Sequence, residues 1–152
     1  MKLRIEIAED AENEVILRCR KHTDEIALLV AAIEGVIKEN GELKLYIGNT
    51  EYYVSNGEIL FFETYDGKVY AHSADKMYRS DHKLFELEAL MPPYFVRISK
   101  SAVVNVKSIE SIRRELTGNG EITFRKCDKK TYFSRAYYKV LKDRIEEVRH
   151  LK

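Results

Sequence analysis

The chain has 152 residues, of which 45% are hydrophobic and 34% charged, and its net charge at neutral pH is +1. That size suits one domain, or one domain with a small appendage, and is enough to bury a core. No apolar run approaches the ~20 residues of a membrane-spanning helix, no signal-peptide stretch opens the chain, and the only cysteines are Cys19 and Cys127; the expectation is a cytoplasmic protein with reduced thiols.

The near-zero net charge hides a split. Residues 1–95 hold 11 Lys and Arg against 18 Asp and Glu, a net of −7, whereas residues 96–152 hold 15 against 7, a net of +8. A basic half gives the chain somewhere to bind a polyanion. A solvated basic helix at the C-terminus would account for part of the excess. It does not account for the charges at 97, 100, 113, 114, 125, 126, 129, 130 and 135, which precede that helix.

The predicted elements begin with two short strands, residues 3–8 and 14–19, in which Leu3, Ile5 and Ile7, then Val15, Leu17 and Cys19, alternate with polar residues. On this pattern Cys19 points inward. Thr23 is placed to cap a helix whose first turn holds Asp24 and Glu25. Ile26, Leu29, Val30, Ile33, Val36 and Ile37 repeat at helical spacing until Asn40-Gly41 stops them. Residues 1–41 are therefore expected to form a strand–strand–helix extension ahead of a domain spanning 42–152.

From residue 43 the period is two. Leu43, Leu45 and Ile47 lead through Gly48-Asn49 into Tyr52-Tyr53-Val54, and Asn56-Gly57 marks another turn. Residues 59–65 and 69–72 flank Asp66-Gly67, a strong hairpin dipeptide. Residues 77–79 read as a short strand. Leu84, Leu87, Leu90 and Met91 suit a short helix ended by Pro92-Pro93. Strands at 95–99, 103–106 and 109–116 follow, then a turn at 117–120. A hairpin joins 122–124 to 131–133, and Ser134 is placed to cap a helix from Arg135 to about His150.

Catalysis is poorly supported. His22, His72, His82 and His150 show no metal-ligand spacing with one another or with the cysteines, and no Gly-rich phosphate loop occurs. Cys127 lies beside Lys126, Lys129 and Lys130, but a lone cysteine in a basic loop needs no function. Glu63 and Asp66 are explained by a strand end and a turn. No enzyme, cofactor or metal is expected.

The stretch from Tyr94 to Ile112 is more informative: Phe95, Val96 and Ile98 face a core, and Arg97, Ser99, Lys100 and Ser101 sit where the chain must turn. A rigid β scaffold presenting an Arg, a Lys and two hydroxyls suits phosphates and base edges. Asn105, between apolar residues, is expected to bond neighbouring backbone. Phe95, Arg97, Ile98, Lys100, Ser101, Val104 and Asn105, followed by Ile109 and Ile112, resemble the signature F-x-R-I-x-[KR]-S-x-x-V-N…I-x-x-I of the LytTR DNA-binding domain of bacterial transcriptional regulators. The likeness extends upstream to the strand pair at 59–70 and downstream to Tyr132-Phe-Ser-Arg-Ala-Tyr-Tyr-Lys-Val-Leu-Lys, covering roughly residues 43 to 145. Ala102 departs from it, standing where the family usually has a larger residue.

The resemblance implies a mainly β, LytTR-like domain of several sheets, with a short internal helix and a C-terminal helix. It also implies a sequence-specific, double-stranded-DNA-binding transcriptional regulator whose inter-strand loops enter successive major grooves. By motif position Lys68, Lys100 and Arg135 are the candidates for groove contacts. Arg97, Ser99, Ser101, Arg113, Arg114 and Lys130 are candidates for phosphate contacts. Many relatives carry a phospho-accepting receiver, which the forty residues before this domain are too short to form. Short members are co-encoded with a small inhibitory membrane protein, which makes such a partner an implication of the likeness. A homodimer through residues 23–40 is expected from the apolar stripe of the first helix. Two other classes compete: a protein-interaction module with a basic docking face, and a single-stranded nucleic-acid binder stacking bases on Tyr52, Tyr53, Tyr65 and Tyr70.

Overall fold

The computed structural model describes residues 1–39 and 41–150. Its elements are α1 (Asp24–Glu39), β1 (Glu42–Ile47), β2 (Thr50–Ser55), β3 (Phe61–Tyr65), β4 (Lys68–His72), β5 (Met77–Ser80), α2 (Leu84–Leu90), β6 (Phe95–Ser99), β7 (Ala102–Asn105), β8 (Ile109–Arg114), β9 (Gly120–Phe124), β10 (Lys130–Phe133) and α3 (Tyr138–Arg149). The architecture is mainly β, as expected. Asn40, the anticipated helix stop, lies outside the described residues.

One sheet has seven strands in the order β2-β1-β5-β4-β3-β7-β6, and a second has three in the order β10-β9-β8. Every pairing among the described residues is antiparallel. Register follows turn chemistry. Tyr65 pairs with Lys68 across Asp66-Gly67, and both turn residues have positive φ, 50° and 75°. That geometry is a type I′ turn, whose twist matches the flanking strands.

Alternation drives the burial. Leu43, Leu45 and Val54 point into the core while their neighbours in β1 and β2 stay wet. The central strands β3 and β7 are apolar on both faces, with Phe61, Phe62, Val103 and Val104 all buried. Ile122, Phe124 and Phe133 extend this core into the smaller sheet, and Leu141 and Ile145 of α3 close it. Each such side chain contributes roughly 1.5–3 kcal/mol by leaving water. Phe61 stacks on Phe124 with ring centroids 5.3 Å apart, joining the two sheets.

Arg144 of α3 donates to the carbonyl of Pro93 at 2.5 Å, and Arg149 donates to that of Ile109 at 3.0 Å. Two of the C-terminal cations are thus structural. Asn105 bonds backbone as expected: it is buried, donates to the Ile59 carbonyl at 3.0 Å and accepts from the Lys107 amide at 3.0 Å. Tyr138 packs on the core, against Phe133.

The extension differs from expectation. Thr23 does cap α1, its Oγ1 accepting from the Ile26 amide at 3.3 Å. Ile26, Leu29, Val30 and Ile33 are half-buried, and the helix lies by the 3-10 turn Asn56–Glu58 and Pro93. The two strands at 3–8 and 14–19 are not formed, and Cys19 is exposed rather than core. Alternation marks a segment able to be a strand, but a strand exists only with a partner to satisfy its amides. These segments have none here.

Candidate nucleic-acid interface

Strand direction brings the turns of the larger sheet together. β3, β5 and β6 run toward one end of the sheet, and β4 and β7 run back from it. The β3–β4 turn therefore lies beside the β6–β7 turn, and the Thr64 amide donates to the Ser101 carbonyl at 2.8 Å. The chain after β10 joins the same rim, because the Ser134 amide donates to the Ile98 carbonyl at 2.9 Å. Lys68, Lys100 and Arg135 accordingly stand on three turns at one end of the molecule.

All three side chains are exposed. Among the described residues, none of the three makes a side-chain hydrogen bond or ion pair. Their backbones, in contrast, are held. Arg97 donates to the Ser99 carbonyl at 2.8 Å, to the Lys100 carbonyl at 2.5 Å and to Glu88 at 2.9 Å. Ser99 is buried and its Oγ accepts from the Ser101 amide at 3.1 Å. Arg97 and Ser99 thus shape the turn that carries Lys100, and the guanidinium has few donors left for a phosphate.

Arg135 is set by two residues that the sequence reading passed over. Its amide donates to Asn119 Oδ1 at 2.8 Å, whereas Ser134, the anticipated cap, makes no side-chain capping bond. Arg135 opens a 3-10 turn, Arg135–Tyr137, and α3 starts only after it. Gly118 has φ +90°, and a Cβ there would come within 2.6 Å of Arg135 Cγ. Glycine is needed both for that backbone and for the arginine stem above it.

The other cations are partly spent. Arg113 and Glu121 are opposed in register across β8 and β9, with their charged groups 2.9 Å apart, and Lys130 reaches the same carboxylate at 3.0 Å. The Lys130 hydrogen bond, with Arg113 beside it, holds the Glu121 carboxyl below the usual carboxylate range. Glu121 went unnoticed in the sequence because only the register reveals its neighbours. The Arg114 guanidinium lies 4.2 Å from the Tyr138 ring centroid. Arg113, Arg114 and Gly118 line one wall of an open recess of about 770 Å³ beside the Arg135 turn.

A polar chain lies at the opposite end of β3 and β4. Glu63 Oε1 is 2.7 Å from His72 Nε2, Lys129 Nζ is 3.3 Å from His72 Nδ1, and Lys129 also donates to the Lys76 carbonyl at 2.6 Å. Burial pushes the His72 imidazole below its ordinary value, and burial also lowers Lys129. A neutral imidazole protonated on Nε2 satisfies both neighbours, a tautomer assigned from its partners. Lys129 lies between β9 and β10, so the chain ties the two sheets together.

Residues 49–146 match the family model described as the LytTr DNA-binding domain. The chain belongs to the LytTR DNA-binding domain family. This is a family of DNA-binding regulator domains and not of enzymes. A solved LytTr DNA-binding domain from Bacillus cereus superposes with a TM-score of 0.64 at 20% identity, over 69% of this chain and 96% of that one. Uncharacterized HTH-type transcriptional regulators of Staphylococcus aureus strains MSSA476 and MRSA252 are 29% and 28% identical over 146 residues, 95% of this chain and 98% of theirs. That similarity runs beyond the DNA-binding domain into the N-terminal extension.

Proposed function

We propose that the chain is a cytoplasmic, sequence-specific, double-stranded-DNA-binding transcriptional regulator. It reads the duplex with inter-strand turns and binds as a homodimer through residues 23–40 of the extension 1–41, while residues 42–152 engage the DNA. The observation that carries this reading is three exposed, unpaired cations, Lys68, Lys100 and Arg135, on three turns at one end of a rigid sheet. A rigid scaffold spares the cost of ordering the turns, leaving only that of the side chains themselves. Strands separate α1, α2 and α3 from one another in the chain, so no two consecutive helices form a helix-turn-helix among the described residues. Arg113, Arg114 and Lys130 flank the rim and contact phosphates, Arg97, Ser99 and Ser101 hold the reading turn in shape, and partition of Glu121 between its two cations sets how much charge the flank offers.

The reading includes switching without a receiver of its own, a view supported by strand pairs that are all antiparallel among the described residues, unlike a doubly wound parallel sheet. A small inhibitory membrane protein rests on family likeness alone and is carried by no residue described here. Single-stranded binding is less well supported. Tyr52 is half-buried edge-on against Tyr78, with centroids 5.4 Å apart, Tyr70 is half-buried, and exposed Tyr53 and Tyr65 lie on different hairpins.

The test is a competition shift assay with operator duplex, single strands and heparin, followed by a salt titration. Duplex DNA outcompetes both others. If about five phosphates are neutralised, log K falls against log salt with a slope near −4 to −5, each contact contributing roughly −0.9. A flat salt response measured by fluorescence anisotropy rules the reading out.

A further inference from the structure

Residues 3–7 alternate apolar and charged side chains and form no strand within the single chain. Arg4 and Glu6 pair at 2.9 Å, two residues apart, as they do when an extended chain puts alternate side chains on one side. Leu3, Ile5 and Ile7, which alternate with them, are 90%, 76% and 94% exposed. Three large aliphatic side chains spaced as on a strand and left in water call for a covering surface.

The segment is complementary to itself. Run antiparallel to a second copy about Ile5, it sets Ile5 opposite Ile5, Leu3 opposite Ile7 and Arg4 opposite Glu6. Both charged pairs are then of opposite sign and every apolar residue meets another on the same face. A two-fold interface needs such a self-matching patch, and opposed cross-strand pairs are the stabilising unit of a sheet. The region is acidic overall, with six Lys and Arg against nine Asp and Glu in residues 1–39, so DNA is not its partner. A two-stranded ribbon alone is marginal and needs a surface under it. Leu28 and Val36 of α1, two turns apart and 72% and 59% exposed, supply one, together with Val15 and Ile16 at 65% and 61%.

Taking the dimer of the preceding section one step further, we propose that residues 3–7 pair antiparallel with the same residues of a second copy. An intermolecular β-ribbon centred on Ile5 then forms, its apolar face covered by the exposed stripe of α1. This supplies the partner that the alternation of residues 3–8 implies and that the single chain does not provide.

The full-length chain tests the register directly. In a background of Cys19→Ser and Cys127→Ser, Ile5→Cys places two thiols across the two-fold. Directly opposed strand residues have Cα atoms about 4.5–5.5 Å apart, within disulfide range. Mild oxidation therefore gives a covalent dimer. Leu3→Cys alone crosslinks at least tenfold more slowly, whereas an equimolar mixture of Leu3→Cys and Ile7→Cys crosslinks as fast as Ile5→Cys.

Charge exchange gives an independent readout by sedimentation equilibrium. Arg4→Glu and Glu6→Arg each weaken self-association roughly tenfold, since like charges become opposed twice. Their mixture restores it, an outcome that the Arg4–Glu6 pair within one chain cannot produce. Ile5→Cys crosslinking no faster than Leu3→Cys, or a mixture of the charge variants that stays monomeric, overturns the ribbon. A dimer without the Ile5 crosslink overturns it too, yet leaves a dimer through α1 standing. Neither readout uses DNA, so failure of the DNA-binding reading would show separately.

Discussion

The two ends of strands β3 and β4 treat charge in opposite ways. At one end Glu63, His72 and Lys129 are drawn into a chain of hydrogen bonds beneath the stacked rings of Phe61 and Phe124. At the other, Lys68, Lys100 and Arg135 project into water from turns whose backbones are tied down, that of Lys68 through the Thr64–Ser101 bond and those of Lys100 and Arg135 by Arg97, Ser99 and Asn119. A cation whose donors are satisfied within the protein stabilises the fold and has nothing left to offer a ligand. A cation held at the base and free at the tip is available for a polyanion. The contrast separates charge engaged within the fold from charge left free at the surface.

The largest effect that would break this contrast lies at the seam. Phe61 is 2% exposed, between His72 at 4.3 Å and Phe124 at 5.3 Å from its ring centroid. Phe61→Ala is expected to cost about 3–5 kcal/mol in urea unfolding, with DNA binding lost only through unfolding. Lys100→Ala should stay within about 0.5 kcal/mol of the parent. A seam variant as stable as a rim variant would remove the distinction.

The next effect is confined to DNA. Lys100→Ala and Arg135→Ala should each lose about 1–3 kcal/mol of discrimination between operator and random duplex, with an unchanged urea midpoint. Lys129→Ala should lower the midpoint and leave the specificity ratio alone. Anisotropy on both duplexes, beside urea curves for all three variants, tests this. A Lys100 or Arg135 variant that is folded and keeps the parent's ratio shows that its side chain does not read bases.

A third effect is pH dependent. Because burial holds His72 below its ordinary value of 6.5, the unfolded chain binds a proton that the folded chain resists. The contribution of His72 is therefore complete above pH 6.5 and is lost as pH falls from there through the depressed folded value. His72→Gln should be less stable than the parent at pH 8, and the gap should narrow toward pH 5. A gap of constant size over that range would mean that the imidazole is not kept neutral by the seam.

What the sequence revealed depended on the range of each interaction. Asp66-Gly67 announced its turn because positive φ at both positions is a local demand. Leu43 and Leu45 announced a strand because burial on one face has a period of two. The Thr23 cap and the stripe through Ile26 and Ile33 were legible for the same local reasons. Residues 3–8 and 14–19 form no strands despite their alternation, which reports competence to pair and not the presence of a partner. The fate of the candidate contacts was set by residues distant in sequence. Glu88 and the turn carbonyls occupy Arg97, Asn119 replaces Ser134 as the cap, and Glu121 meets Arg113 and Lys130 only through the register of the smaller sheet. Motif position identified the three exposed cations of the rim but could not say which other cations were already engaged.

Glu121 offers the finest test, because it lies between the two behaviours. Its carboxylate sits beside the rim, where Arg113 and Lys130 are exposed and yet both attend to it. A phosphate arriving there must compete with a group that binds the same two cations. In the free protein these contacts stabilise little, as exposed ion pairs do, so removing the carboxylate should barely move the urea midpoint. Toward DNA the change is expected to be visible. Glu121→Gln frees two cations and removes one negative charge facing the polyanion. Affinity should rise roughly threefold at low salt for operator and random duplex alike, and the salt slope should steepen by about 0.9 if one further phosphate is engaged. Arg113→Ala should do the reverse, weakening both duplexes equally. Measured by anisotropy across a salt series, a Glu121→Gln protein with unchanged affinity and slope would show that this flank stays off the DNA, leaving the three turns to bind it alone.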